Sequence, residues 1–364
     1  MNFDYNEEQQ LLADSVRRFL QKDYDFEARR KILAAPEGWS SRAWATFADM
    51  GLTGLPLPAD YGGFGGGAVD LMGVMEAFGE ALVVEPYVPT LLGALFVARG
   101  GRSGQKNAVL PSVVEGKLRL AFAHTEAGAR YDTSHVQTRA RAAGAGWVLE
   151  GEKRIVLGAP IAQKWVVSAK AGNEVALFLV DASDAGAETK AYRTLDGLSA
   201  ADLLLAGAGA ERLDGGIQLI EALTDFATAL VCAEAVGAMK FACDATLEYL
   251  KTRKQFGVPI GTFQALQHRI VDMYISHEQA KSMACLACSK SDQSGDARER
   301  ARSVSAAKIK IADAARHVSQ EAVQLHGGMG MSEELKVSHT FRRLTVMAQQ
   351  FGDADHHLAR FASL

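Results

Sequence analysis

Prolines are few in this chain, eight in 364 residues, and cysteines number four. So little cysteine excludes a small disulfide-stapled scaffold. So little proline leaves room for long, uninterrupted helices. No block of like charge occurs and the net charge is −4, so nothing predicts attraction to nucleic acid or a membrane surface. No apolar run is read as reaching the length of a membrane span. The opening Met1-Asn2-Phe3-Asp4-Tyr5 is acidic and lacks the basic-then-apolar order of a signal peptide. The expected location is therefore cytoplasmic. No repeat with a period of 20–50 residues is visible.

What is present is a chain long enough for a large core and two or three packed units, with 48% hydrophobic and 23% charged residues. Its texture changes twice. Residues 1–115 carry helical spacing: Leu11, Leu12, Val16 and Phe19 follow Glu7 and Glu8, and further helices are predicted over 40–50, 69–82 and 89–100. Short alternating or β-branched runs then appear at 118–124, 136–142, 146–151, 164–169 and 175–180, with a hairpin turn predicted at 143–146. From about residue 213 the pattern is helical again, over 219–253, 264–289, 297–326, 335–349 and 354–361, with an internal boundary near Thr224 or Asp225. A β-rich stretch between helical ones argues for a three-domain α+β chain, divided at 1–115, 116–212 and 213–364.

Three motifs invite chemistry. Gly62-Gly63-Phe64-Gly65-Gly66-Gly67-Ala68 contains a nominal dinucleotide fingerprint, but Pro56 and Pro58 stand where its strand should be, so it reads as a loop. Cys285 and Cys288 form a C-x-x-C inside an Ala-rich helical run without a second ligand pair, and read as small buried helix residues. The third is Arg253-Lys254-Gln255-Phe256-Gly257-Val258-Pro259-Ile260-Gly261-Thr262-Phe263-Gln264, a glycine- and proline-fixed corner between two helices. A guanidinium and an amide on a rigid corner suit an anionic ligand such as a diphosphate; a basic, solvated helix end is the plainer alternative.

That corner, together with Gln324-Leu325-His326-Gly327-Gly328, resembles the flavin-binding segments of the acyl-CoA dehydrogenase family. The resemblance extends along the chain. Residues 3–10, 24–30 and 62–67 are similar to the small subunit of pimeloyl-CoA dehydrogenase-like heteromers. It implies an N-terminal helical domain, a middle β-barrel or sandwich and a C-terminal four-helix bundle. It implies FAD-dependent α,β-dehydrogenation of an acyl-CoA thioester, in which a carboxylate takes the α proton and the β hydrogen leaves as hydride to the flavin. It also implies oligomers in which one subunit's Arg253, Gln255, Phe256, Gln264, Gln324, Gly327 and Gly328 clamp the adenosine and diphosphate of a neighbour's FAD. Electron-transferring flavoprotein is the implied redox partner.

The ring-side half departs from the family pattern. Thr125 and Asp132 remain, while Ala127, Arg130, Tyr131, Ile155 and Leu157 replace the usual proline, glycine, serine, aromatic wall and hydroxyl donor. Both usual base positions are lost, being Phe351 and Ala227. The resemblance therefore implies a base-lacking small subunit of a heteromer with a degraded pocket of its own, paired with a homologous large subunit. Two other readings stand beside it. One is a self-sufficient homo-oligomer with its base relocated to Asp225, Glu221, Glu234 or Asp353. The other is a flavin-free, non-catalytic scaffold. His326 and His339 are expected to be packing histidines, and His356 and His357 to lie at the surface.

Overall fold

A computed structural model of the chain describes residues 5–144, 146–293 and 295–364. Its helices are α1 (Glu7–Asp23), α2 (Phe26–Ala34), α3 (Ser41–Asp49), α4 (Ala68–Ala81), α5 (Tyr87–Gly100), α6 (Ser103–Val114), α7 (Ile217–Thr252), α8 (Gln264–Asp292), α9 (Ala297–His326), α10 (Lys336–Gln349) and α11 (Ala354–Ser363). Its main strands are β1 (Leu120–Ala123), β2 (Arg139–Ala143), β3 (Gly146–Leu157), β4 (Lys164–Ala171), β5 (Glu174–Asp181), β6 (Ala187–Arg193) and β7 (Ser199–Leu213). Helical, β and helical segments thus follow in the expected order. Sequence periodicity gave no warning of α2, α6, β6 or the 15-residue β7. The predicted boundary at Thr224 or Asp225 does not exist, because α7 runs through it unbroken. Position 143 pairs with 146 as a hairpin requires; residue 145 lies outside the described residues.

The chain divides into two compact units. The first comprises Met1–Arg30, Ala68–Val83 and Thr228–Leu364. Its core is built by Ala-rich helix faces: Val231, Cys232, Ala235, Ala238, Met239 and Ala242 of α7 pack with Ile270, Met273 and Ala280 of α8 and with Ile311, Ala315 and Val318 of α9. All four cysteines are free and buried, as their small size suits. Helix α7 is long and apolar enough to cross a membrane by length and composition, a span that the reading of sequence runs missed. Its most apolar stretch is 89% buried within the protein, as in the core helix of a globular fold.

Small residues set how closely α4 and α7 approach. A Cβ on Gly79 would stand 1.9 Å from the Glu234 carbonyl oxygen, and one on Gly237 would stand 1.9 Å from the Glu76 carbonyl oxygen. The two helices therefore touch backbone to backbone, and only hydrogen fits at either position. The carboxylate of the same Glu234 accepts from Arg343 Nε at 3.0 Å and Nη2 at 2.6 Å, both side chains being buried. That pair fixes α10 against α7. Lys308 of α9 is fully buried and donates to the Met347 carbonyl. His357, expected at the surface, is 2% exposed. Its ring sits between Ser305 Oγ and the Phe351 carbonyl, each at 3.2 Å. The i, i+4 pattern of α11 turns His357 inward, and adjacency to His356 disguised this.

The second unit comprises Lys31–Gly67 and Val84–Ala227. It holds a seven-stranded mixed sheet of order β1-β4-β2-β3-β7-β5, with β6 on β7 and β4 also paired to β5. Ala121, Leu149, Trp165, Val167, Phe178, Leu203 and Leu205 fill its core. Strand β3 bulges against β7 between Lys153 and Val156.

Two outcomes are expected. Gly237→Ala or Gly79→Ala should cost about 1–3 kcal/mol, as overpacking does. Gly104→Ala, where a Cβ meets nothing within 4 Å, should leave the melting temperature level or higher. Equal melting temperatures for all three variants would mean that the α4–α7 contact is looser than described. Separately, burial holds the His357 pKa down at about 3, below the ordinary 6.5. The unfolded chain then binds the extra proton, so stability is complete above pH 6.5 and falls as pH drops toward 3. Between pH 7 and pH 5 this site should cost on the order of 2 kcal/mol, and His357→Gln should flatten the pH profile of thermal melting.

Candidate functional site

The corner after α7 is a two-residue hairpin. Gln255 pairs with Val258 across Phe256 and Gly257. Both turn residues have positive φ, +56° and +81°, as a primed turn requires. The ring of Phe256 is 90% exposed and stands edge-on to Phe263 at 6.1 Å. The Ile260 N–H donates to the Arg253 carbonyl at 2.8 Å, closing the corner. The side chains of Arg253, Gln255 and Gln264 are exposed. Among the described residues, the Arg253 guanidinium enters no ion pair.

The end of α9 lies beside this corner. His326 stacks on Tyr249 of α7 with ring centroids 4.4 Å apart, while its Nδ1 bonds the Ala322 carbonyl at 2.8 Å. Burial lowers its pKa, so the ring is neutral near pH 7 and serves packing, as its place in the sequence suggests. The chain then breaks at Gly327, with φ +62° and ψ −146°, a conformation that glycine alone adopts freely. Gln324, Gly327 and Gly328 are all exposed. A Cβ at Gly257, Gly327 or Gly328 would meet nothing within 4 Å, so the backbone there is open to a ligand. An unpaired guanidinium, exposed amides and open glycine backbone fit the diphosphate and adenosine of a dinucleotide.

Thr125 belongs to the other unit, where it is exposed just after β1. Its segment is anchored by charges that the sequence reading did not single out. Lys153, fully buried, donates to the His124 carbonyl at 3.1 Å, to Glu126 Oε1 at 2.7 Å and to Ser168 Oγ at 3.0 Å. Glu126 also accepts from the Thr138 backbone at 3.0 Å and hydroxyl at 2.7 Å. Burial pulls the Lys153 pKa down to about 8, while Lys153 and Thr138 hold Glu126 below the usual carboxylate range. Lys153 thus grips the residues on both sides of Thr125. A lysine inside an alternating strand was the available signal.

The two usual base positions carry no carboxylate, and two of the neighbouring acids, Asp353 and Glu234, are otherwise engaged. Ala227 is buried in α7. Phe351 follows α10 with φ +59°. Asp353 caps α11 through the His356 N–H at 2.8 Å, Glu234 is paired with Arg343, and Glu221 lies on the exposed face of α7. Asp225 is 1% exposed. Among the described residues no group of three His, Cys, Asp or Glu side chains is arranged to hold a metal.

A helical unit with an exposed basic, glycine-rich corner and a β unit carrying an anchored threonine loop is the architecture on which the comparisons with known proteins converge. Family models match in the same order: the acyl-CoA dehydrogenase N-terminal domain over residues 6–117, the middle domain over 121–205 and the C-terminal domain over 214–363. Acyl-CoA dehydrogenase FadE12 of Mycobacterium tuberculosis is 32% identical over 362 residues, covering 93% of this chain and 90% of its own length. Among solved structures, the ChsE4-ChsE5 complex from Mycobacterium tuberculosis superposes with a TM-score of 0.92 at 27% identity, covering 100% of this chain and 98% of that one. PigA with FAD and proline does so with a TM-score of 0.90 at 27% identity over the same shares. The chain belongs to the acyl-CoA dehydrogenase family, oxidoreductases whose cofactor is FAD.

Removing one member of the buried ion pair leaves the other uncompensated. Lys153→Met should therefore cost about 3–5 kcal/mol, and adding Glu126→Gln should recover much of it. Chemical denaturation of the two variants checks this; a Lys153→Met chain as stable as wild type would show that the pair does not hold the loop.

Proposed function

We propose that this chain is the base-lacking small subunit of a heteromeric acyl-CoA dehydrogenase, most similar to the pimeloyl-CoA type. It pairs with a homologous large subunit that carries the carboxylate base. Arg253, Gln255, Phe256, Gln264, Gln324, Gly327 and Gly328 clamp the adenosine and diphosphate of FAD across the subunit interface. Bound FAD supplies the hydride acceptor, and electron-transferring flavoprotein takes the electrons onward. This chain binds and orients; the α proton is taken by the partner.

The observation that carries the reading is the uneven loss of function-bearing groups. The residues of the proposed clamp are exposed, whereas Phe351 and Ala227 cannot accept a proton and nearby Glu234 and Asp353 have structural duties. The surface of α8 supports a protein partner. Val271 and Ile275, one turn apart and about half exposed, line an apolar groove with Leu247, Ile270 and Tyr274. The ChsE4-ChsE5 complex is a structural relative built from two differently named chains.

Arg253→Ala tests the proposal in the purified pair. Losing one charge-assisted contact to a diphosphate should weaken FAD retention by about ten- to hundredfold, read as flavin absorbance per protein after gel filtration. A pair whose flavin content is unchanged would refute the clamp. A chain that oxidises acyl-CoA alone at the rate of a complete enzyme would refute the division of labour.

A further inference from the structure

Packing is the role that the sequence predicts for His339 of α10, but both of its ring nitrogens are engaged. Arg29 Nη1 of α2 lies 3.1 Å from Nδ1. A guanidinium only donates, so Nδ1 is the acceptor and the ring proton sits on Nε2. Nε2 then donates to the Glu333 carbonyl at 3.0 Å. Burial, with the Arg29 charge beside it, holds the His339 pKa below its ordinary value. The ring is neutral near pH 7.

The same Glu333 is gripped by its side chain. Arg342 Nη1 and Nη2 donate to its two carboxylate oxygens, each at 2.8 Å, as a bidentate pair. One residue earlier in the chain, the Ser332 carbonyl accepts from Ser338 Oγ at 2.7 Å. The Ser332 N–H closes the turn Gly327–Met331 by donating to the Met329 carbonyl at 3.0 Å. Helix α10 therefore braces the segment that leaves Gly327 and Gly328.

The brace has a fixed side and a yielding one. Arg29 is 1% exposed, and its Nε donates to the Leu82 carbonyl at 2.6 Å. Leu82 has φ +58°, so a shift of Arg29 would strip the donor from an already strained residue. The Glu333 side chain, by contrast, is 69% exposed. A second proton on His339 enters only at Nδ1, where it would face the guanidinium. Among the described residues, Arg342 and Glu333 also act on the ring, Glu333 Oε2 lying 3.3 Å from Nε2. Further out, Arg30 acts on Glu333, and Arg29 on Lys336. With Arg29 anchored, the repulsion falls on the segment of Ser332 and Glu333.

We propose that Arg29, His339 and Arg342 are positioning residues that hold the Gly327–Gly328 turn in its cofactor-binding shape, and that protonation of His339 releases it. The proposal rests on the clamp assigned to Arg253, Gly327 and Gly328, and makes FAD retention depend on pH. The braced form binds fewer protons than the released one. Its share is full above pH 6.5, the ordinary histidine value, and falls as pH drops, and apparent FAD affinity falls with it.

FAD affinity is read by quenching of flavin fluorescence, on the chain alone and in the purified pair, at about pH 7.5 and about pH 5.5. Far-ultraviolet circular dichroism confirms the fold at both. Wild type should bind about three- to tenfold more weakly at the lower pH. The amide of His339→Gln accepts from Arg29 and donates to Glu333 but takes no proton, so this ratio should drop to about one. Arg342→Ala should weaken FAD about three- to tenfold at the higher pH. Its melting temperature should stay level, since an exposed ion pair adds little stability. A wild-type pH ratio in His339→Gln, with Arg253→Ala still weakening FAD, would overturn this inference alone. No flavin in either form, or unchanged affinity in Arg253→Ala, would overturn the clamp and this inference together.

Discussion

Glu234 sits at the crossing on which the helical unit depends. Its backbone carbonyl occupies the space that a Cβ of Gly79 would need, and its carboxylate holds Arg343. The first contact lets α4 lie directly on α7; the second fixes α10, which leads into Phe351. A buried ion pair is weak evidence for net stability but strongly penalises any arrangement that separates its members. Glu234 is therefore better understood as setting geometry than as catalysing. This bears on function, because Glu234 is among the acids closest in sequence to a missing base.

Two ends of long helices make the exposed corner proposed to clamp the cofactor. The hairpin at Phe256 and Gly257 turns the chain sharply after α7, the stacked pair of Tyr249 and His326 keeps the end of α9 beside it, and the break at Gly327 leaves backbone open. None of this geometry needs the chain's own proton chemistry. A subunit can keep it while losing its base, provided that a partner supplies the carboxylate. An open, exposed corner and the absence of Glu or Asp at positions 351 and 227 are compatible with that division. In the β unit, Lys153 holds the Thr125 loop in an ordered shape even where the usual residues are replaced.

Much of this was legible in the sequence, for physical reasons. The long helices announced themselves by apolar spacing and by scarce proline, and the turn after α7 by the glycines and proline around Phe256. Strand β7 was hidden because Leu203-Leu204-Leu205 and the Ala/Gly residues after it do not alternate in polarity, although alternate residues are buried. The helical character of α7 was plain, but its continuity through Thr224 and Asp225 was not, because polar residues there signalled a break that burial overrides. Buried charges were the least legible. Lys153, Lys308 and His357 look like surface residues by type, and only the fold shows that each faces a specific acceptor.

The most direct test of the account is flavin bleaching under anaerobic conditions. Acyl-CoA is added to this chain carrying FAD, and then to the same chain with its homologous partner, while the visible flavin band is followed. The account predicts no bleaching on the timescale of turnover with the chain alone, and rapid bleaching in the pair. Rapid bleaching by the chain alone would contradict it, and would mean that a carboxylate of this chain, Asp225 being the buried candidate, reaches the α proton after all.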